Sequence, residues 1–104
     1  MTKPDRKAQI ESLLAQSPND TFLLYGLAME YLKEGNAAEG IARLKHVADV
    51  NPNYPAAYFQ LGQILSQQGE TDEARDWLTR GVTVAQKIGD HHAAGEMEQF
   101  LMML

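Results

Sequence analysis

The chain has 104 residues, of which 44% are hydrophobic and 22% charged, with no cysteine and a formal net charge of −5. These are the proportions of one small globular domain, and disulfides are excluded. The net charge argues against nucleic acid as a partner, because such binding depends on Lys and Arg neutralising phosphates.

Membrane association and secretion are not expected from this sequence. No apolar run approaches the roughly 18 residues that a membrane-spanning helix needs. Charged residues interrupt the segment from Met1 to Gln16, where a secretory signal would need an unbroken apolar core. We therefore expect a cytoplasmic protein with no membrane partner.

The first three predicted helices follow from apolar spacing and from residues that start or stop helices. The first helix covers residues 1–17 and carries Ile10 and Leu13 on one face, with Pro4 suited to its first turn. In the second, Asn19 or Asp20 is the candidate cap, and Gly35 suits the left-handed end. Its apolar stripe is Leu24, Leu27, Ala28 and Tyr31, and that of the third helix is Ile41, Leu44, Val47 and Ala48.

The second half of the chain predicts three more helices. Two of them cover roughly residues 54–68 and 71–87, and Thr71 or Asp72 is the candidate cap of the latter. Gln86 stands where a closing proline would fall, so this helix is expected to continue toward Ile88. The last helix has the apolar stripe Ala93, Met97, Phe100, Leu101 and Leu104, and Met102 and Met103 exceed what one inward face can hold.

The sequence repeats itself at an interval of 34 residues. Pro18 and Asn19 return as Pro52 and Asn53, and five further positions, Leu27, Gly35, Glu39, Leu44 and Val50, return as Leu61, Gly69, Glu73, Leu78 and Val84. A period of this size indicates stacked helical hairpins, because one hairpin cannot bury its apolar face alone. One step back from the third helix falls on the first, which is thus a second-type helix without its hairpin partner.

The repeat resembles that of the tetratricopeptide repeat (TPR) family. The first helix of each copy matches the family pattern at Leu24, Leu27, Ala28 and Tyr31, and again at Tyr58, Leu61, Gly62 and Leu65. The resemblance implies an all-α, right-handed α-solenoid of antiparallel helical hairpins. A single domain, 1–104, would hold an N-terminal half repeat (1–17), two full repeats (18–51 and 52–88) and a capping helix (89–104).

The resemblance also implies a concave groove that binds segments of other proteins. The positions that line this groove in the family are occupied here by Phe22, Tyr25, Met29, Lys33, Phe59 and Gln63. Family members that hold an acidic chaperone tail use Lys, Asn and Arg in a clamp, and the corresponding residues here are Tyr25, Met29, Gln60, Asp90 and Ala94. An apolar or amphipathic partner segment is therefore expected instead.

No residue pattern points to catalysis or to a cofactor. The sequence contains no phosphate-binding glycine loop, paired-histidine zinc motif or nucleophile elbow. His92 and Glu96 have helical i, i+4 spacing, but two ligands make an incomplete metal site, and His46 falls on a solvent face. We expect a non-enzymatic protein-interaction module. The alternative is a structural protein that forms homo-oligomers through its C-terminal helix or groove.

Overall fold

The computed structural model describes residues 5–104, and this part of the chain contains six α-helices and no strand. The helices are α1 (Arg6–Gln16), α2 (Thr21–Lys33), α3 (Ala37–Val50), α4 (Pro55–Gln67), α5 (Thr71–Ile88) and α6 (His91–Met102). All six predicted helices are confirmed, including the continuation of α5 to Ile88. The prediction for Pro4 lies outside the described residues.

Short polar side chains start most of the helices by accepting hydrogen bonds from unpaired backbone N–H groups. At α2 the cap is Asp20, whose Oδ1 accepts from the Leu23 N–H at 3.0 Å. Asp90 caps α6 in the same way. The prediction for α5 is wrong: Thr71 is already its first helical residue, and Glu70 holds the cap position without a side-chain hydrogen bond.

Three helices end at a glycine in the left-handed conformation, which costs little because glycine has no Cβ. Gly35, Gly69 and Gly89 have φ angles of 83°, 81° and 80°. After each glycine, the next backbone N–H returns to a carbonyl in the last turn, as the Asn36 N–H does to the Tyr31 oxygen at 2.9 Å. These sharp ends keep the connections short, so that consecutive helices form antiparallel hairpins.

The described chain divides into two compact units, with the boundary between Val50 and Asn51. In the first unit α2 packs against α3 and, over fewer residues, against α1. The core of this unit is Ile10, Leu24, Leu27, Ala28, Leu44, Val47 and Ala48, all buried. The predicted boundaries of the individual repeats remain a prediction.

In the second unit α5 packs against both α4 and α6, and α4 also touches α6. Its core is Ala57, Tyr58, Leu61, Leu65, Ala74, Trp77, Leu78, Ala85, Ala94 and Met97. Ala94 was missed in the predicted stripe, whose Ala93 is only half-buried. No helix within residues 5–104 is long and apolar enough to cross a membrane.

Candidate functional site

An open groove of about 390 Å³ runs between α1 and α2 on the first unit. One wall consists of side chains spaced three and four residues apart on α1, and the other of side chains from the first two and a half turns of α2. The lining residues are Arg6, Gln9, Ile10, Leu13, Phe22, Leu23, Tyr25, Gly26, Met29 and Glu30. Most of the lining is apolar, so the groove suits an apolar ligand surface.

Two apolar side chains at this groove are exposed to an unusual degree. Phe22 is 72% exposed and Leu13 is 52% exposed. Tyr25 and Met29 are half-buried. Because exposed apolar surface of this kind is costly in water, a polar-rimmed cluster of such side chains typically marks an interaction site.

Packing at the floor of the groove brings α1 close to α2. A Cβ atom built on Gly26 would lie 3.4 Å from Ile10 Cδ1, at the lower limit of ordinary van der Waals contact, so a methyl group would just fit here. Ile10 is the one residue of α1 that is buried. A larger residue at position 26 would therefore change the shape of the groove.

Two ion pairs connect α1 with α2 and with the residue that caps the end of α2, beside the groove. Arg6 Nε lies 3.5 Å from Glu30 Oε2, and Lys7 Nζ lies 3.0 Å from Glu34 Oε1. The hydrogen bond to Glu34 raises the pKa of Lys7 above its ordinary value. Lys7 Nζ also lies 4.7 Å from the ring centre of Tyr31, within the range of a cation–π contact. These contacts join α1 to α2 at the surface, where each ion pair contributes little to stability.

Three of the six predicted partner-binding residues, Phe22, Tyr25 and Met29, line this groove. Lys33, also on α2, is exposed near the C-terminal end of that helix and does not line it. The other two lie on α4 in the second unit, where Phe59 and Gln63 are both half-buried. Whether these six side chains bind a partner remains a prediction.

Phe59 lines a second pocket, of about 310 Å³, between α4 and α6 of the second unit. Its ring meets that of Phe100 edge-on, with the ring centres 6.2 Å apart. The α6 wall is polar: Asp90 caps the helix, and His92 Nε2 lies 2.9 Å from Glu96 Oε1. Within residues 5–104 no group of three or more His, Cys, Asp or Glu side chains is placed to hold a metal ion.

Packing of Phe22 and Tyr25 against the N-terminal helix was one alternative from the sequence, but the residues that α1 contributes to the groove were not identified. Ile10 and Leu13 were expected to be apolar positions of a second-type helix, not site residues. The 34-residue period relates α1 to α3, and among the described residues 5–50 no further helix packs on α1 as α2 packs on α3. The exposure of Leu13 is the structural consequence.

Comparison with known proteins gives consistent matches. The family model for the tetratricopeptide repeat matches residues 31–95. A TPR repeat-containing protein of Pseudomonas aeruginosa is 30% identical over 95 residues, covering 91% of this chain and 90% of the relative.

Solved structures agree along most of the chain. The solution structure of a tetratricopeptide repeat domain protein from Salinibacter ruber has a TM-score of 0.79 and 30% identity, covering 83% of this chain and 87% of that one. PcrH, solved in complex with the chaperone binding region of PopD, has a TM-score of 0.84 at 16% identity and covers 93% of this chain and 74% of its own. At that identity, the second likeness concerns the fold alone. The chain therefore has the all-α helical-repeat fold of α-solenoids and belongs to the tetratricopeptide repeat family.

Proposed function

We propose that this protein is a non-enzymatic interaction module that binds an apolar or amphipathic segment of a partner protein in the α1–α2 groove. The observation that carries the proposal is the exposure of Phe22 and Leu13, at 72% and 52%, around an apolar depression. Single exposed apolar residues are ordinary on protein surfaces, but a cluster of them around a groove is typical of binding sites.

The structural neighbour PcrH supports the kind of function. Its structure was solved in complex with the chaperone binding region of PopD. PcrH is thus a helical-repeat protein that holds a segment of another protein. We extend to this chain only the general property of holding a protein segment. The residues that would do so are taken from this chain's own geometry.

The lining residues offer different areas of contact to a ligand, depending on how far each is buried. Phe22 offers most of an aromatic ring to a ligand, whereas Tyr25 and Met29 offer one side each because they are half-buried. Aromatic residues and Met are enriched at interfaces, where they bury large apolar areas. Lys33 remains a predicted polar contact at the end of α2, and Phe59 and Gln63 remain predicted partner contacts on α4 of the second unit.

The test compares surface variants that should leave the fold intact. Immobilised parent protein, Phe22→Ala and Met29→Ala are used to capture proteins from lysate of the source cells, and Met102→Ala is the matched control. Met102 is 85% exposed but lies outside the groove. Captured partners are then titrated against each variant. Loss of a central aromatic contact typically weakens binding by about 1 to 4 kcal/mol.

The expected result is a partner that binds the parent and the Met102 variant equally and the two groove variants more weakly. Circular dichroism melting of each variant checks that folding is unchanged. Equal affinity of all four proteins for every captured partner would contradict the proposal.

A second candidate function is self-assembly through the C-terminal helix. It is favoured by Met102 and Met103, which are 85% and 75% exposed next to one another. Light scattering over a wide range of protein concentrations tests it. A concentration-dependent mass that Met102→Ser and Met103→Ser abolish would support this candidate, and a constant monomer mass would remove it.

A further inference from the structure

The second unit contains a filled counterpart of the α1–α2 groove. There, α4 lies against α5 and touches α6. Gly81 of α5 sits between the two neighbouring helices: a Cβ atom built on it would lie 2.6 Å from Tyr58 Cβ of α4 and 2.5 Å from Met97 Sδ of α6. A Cβ atom on Gly62 of α4 would collide with the side chain of Leu78. Thus α4 occupies the space along one face of α5 and reaches α6.

The two units correspond at a distance of two repeats, or 68 residues. This step relates Met29 of α2 to Met97 of α6, the same residue type at the same place. It also relates the four groove-lining residues of α1 to four buried residues of α5. These pairs are Arg6 and Ala74, Gln9 and Trp77, Ile10 and Leu78, and Leu13 and Gly81.

The corresponding residues differ in what covers them. On α5 all four are buried, and α4 covers three of them: Gly62 packs on Leu78, the Tyr58 ring lies 5.7 Å from that of Trp77, and Tyr58 faces Gly81. In the first unit no helix of residues 5–50 takes the place of α4, and Leu13 remains 52% exposed. The groove is therefore the empty counterpart of a space that a helix fills elsewhere in the same chain.

From this correspondence we infer that the segment bound in the α1–α2 groove is an amphipathic α-helix of a partner protein, antiparallel to α1 as α4 is to α5. This inference rests on the proposed function and specifies the conformation of the partner segment. The helix presents apolar residues at the spacing i, i+3, i+4 and i+7, which is that of Tyr58, Leu61, Gly62 and Leu65 on α4.

Residues that differ at corresponding positions of the two units indicate the chemistry of this partner helix further. Leu13 replaces Gly81, so the partner residue facing Leu13 must be small where α4 has Tyr58. Arg6 replaces Ala74 at the other end of the groove, and its side chain is 67% exposed. An acidic residue in the last turn of the partner helix would complement this positive charge and extend the ion pair of Arg6 with Glu30.

The position of that acid follows from the first hairpin. A Cβ atom built on Gly40 of α3 would collide with the side chain of Leu32 of α2, so these two positions face each other. One repeat later they become Ala74 and Ser66. The residue of the partner helix that corresponds to Ser66 is therefore the one that faces Arg6.

The probe is a synthetic peptide with the sequence of residues 54–68 carrying Tyr58→Ala and Ser66→Glu, acetylated and amidated at its ends. It is titrated into the 104-residue protein with labelled methyl groups, and the methyl signals are observed by NMR. A second peptide carries Gly62→Pro in addition, which removes a helical hydrogen bond and clashes with the preceding turn. A third retains Ser66.

The expected result is a saturable shift of the methyl signals of Ile10, Leu13 and Met29. The proline peptide should bind at least about tenfold more weakly, and the peptide that retains Ser66 should bind more weakly than the probe, with the difference lost in Arg6→Ala. Leu13→Lys should reduce binding at least tenfold. Its control is Ile88→Lys, an aliphatic position of similar exposure, 45%, outside the groove.

Three outcomes would overturn the inference: no binding of the probe, equal binding of the proline peptide, or methyl shifts confined to Leu61, Leu78 and Met97. The last would mean that the peptide replaces α4 instead of filling the groove. None of these decides the proposed function, which fails separately if Phe22→Ala and Met29→Ala leave captured partners bound. A captured partner could depend on those two residues and still bind with proline in its bound segment. In that case the proposed binding site would stand, and the helical conformation of the segment would be excluded.

Discussion

Gly81 provides a sharp test of the packing between α4, α5 and α6. In Gly81→Ala the added methyl group would lie 2.6 Å from Tyr58 Cβ and 2.5 Å from Met97 Sδ. The flexible Met97 side chain can rotate away, but Tyr58 Cβ is attached directly to the backbone of α4. The substitution therefore forces α4 away from α5, and no rotamer change avoids this.

Two opposing effects determine how much stability Gly81→Ala loses. Replacing glycine by alanine inside a helix stabilises it by about 0.5 to 1 kcal/mol, because the unfolded chain loses freedom. Overpacking of a well-filled core costs about 1 to 3 kcal/mol. We expect a net loss of about 1 to 2 kcal/mol, which for a domain of this size lowers Tm by roughly 4 to 15 °C.

The control is Gly95→Ala, in the interior of α6. A Cβ atom at Gly95 has no neighbour within 4 Å, so only the helix-propensity term remains. This variant should gain about 0.5 to 1 kcal/mol and melt at a higher temperature than the parent. The two alanine substitutions are thus expected to have opposite signs.

Thermal melting by circular dichroism and urea unfolding by fluorescence measure both variants. The fluorescence comes from Trp77, the single tryptophan of the chain, whose ring lies 5.7 Å from that of Tyr58. In Gly81→Ala the folded-state emission should also change, because α4 moves relative to α5. A Gly81→Ala protein as stable as Gly95→Ala would refute the close packing described for these helices.

Two further predictions concern single polar contacts. Tyr58→Phe removes the hydrogen bond that the hydroxyl donates to the Pro52 carbonyl oxygen at 2.9 Å. The free energy of unfolding in urea should fall by about 0.5 to 1.5 kcal/mol, with no change in folded-state Trp77 emission. A stability equal to the parent's would show that water replaces the bond. The hydrogen bond to Glu34 raises the pKa of Lys7 above 10.5. The contribution of this ion pair to folding stability is therefore complete below pH 10.5 and is lost as the pH rises through the folded-state pKa. NMR signals of α1 should accordingly change in an alkaline step that Lys7→Met diminishes; a step of unchanged size in that variant would exclude this ion pair as its cause.

Local structure could be predicted from the sequence where a few neighbouring residues decide it. The 34-residue period and the apolar spacing predicted six helices, and Gly35 marked the end of α2. The choice between Asn19 and Asp20 as the cap needed the structure. At α5 the cap prediction was wrong because no polar side chain accepts a hydrogen bond there, so the helix begins without one.

The candidate site was predictable only in part. Helical spacing placed Phe22, Tyr25 and Met29 along one face of α2, and they do line one groove. Spacing within one helix cannot indicate which other helix faces it. The participation of Leu13 therefore became apparent only when α1 was seen against α2.

The helices, the repeat and the set of apolar faces could be read from the amino-acid sequence alone, because these depend on interactions between residues that are near in the chain. Tertiary structure decided which apolar faces are covered. Gly81 and Leu13 hold corresponding positions, yet one lies between two helices and the other is 52% exposed. The physical reason is that burial depends on the presence of a neighbouring helix: α5 has α4 against this face, and within the described residues α1 has no counterpart of it.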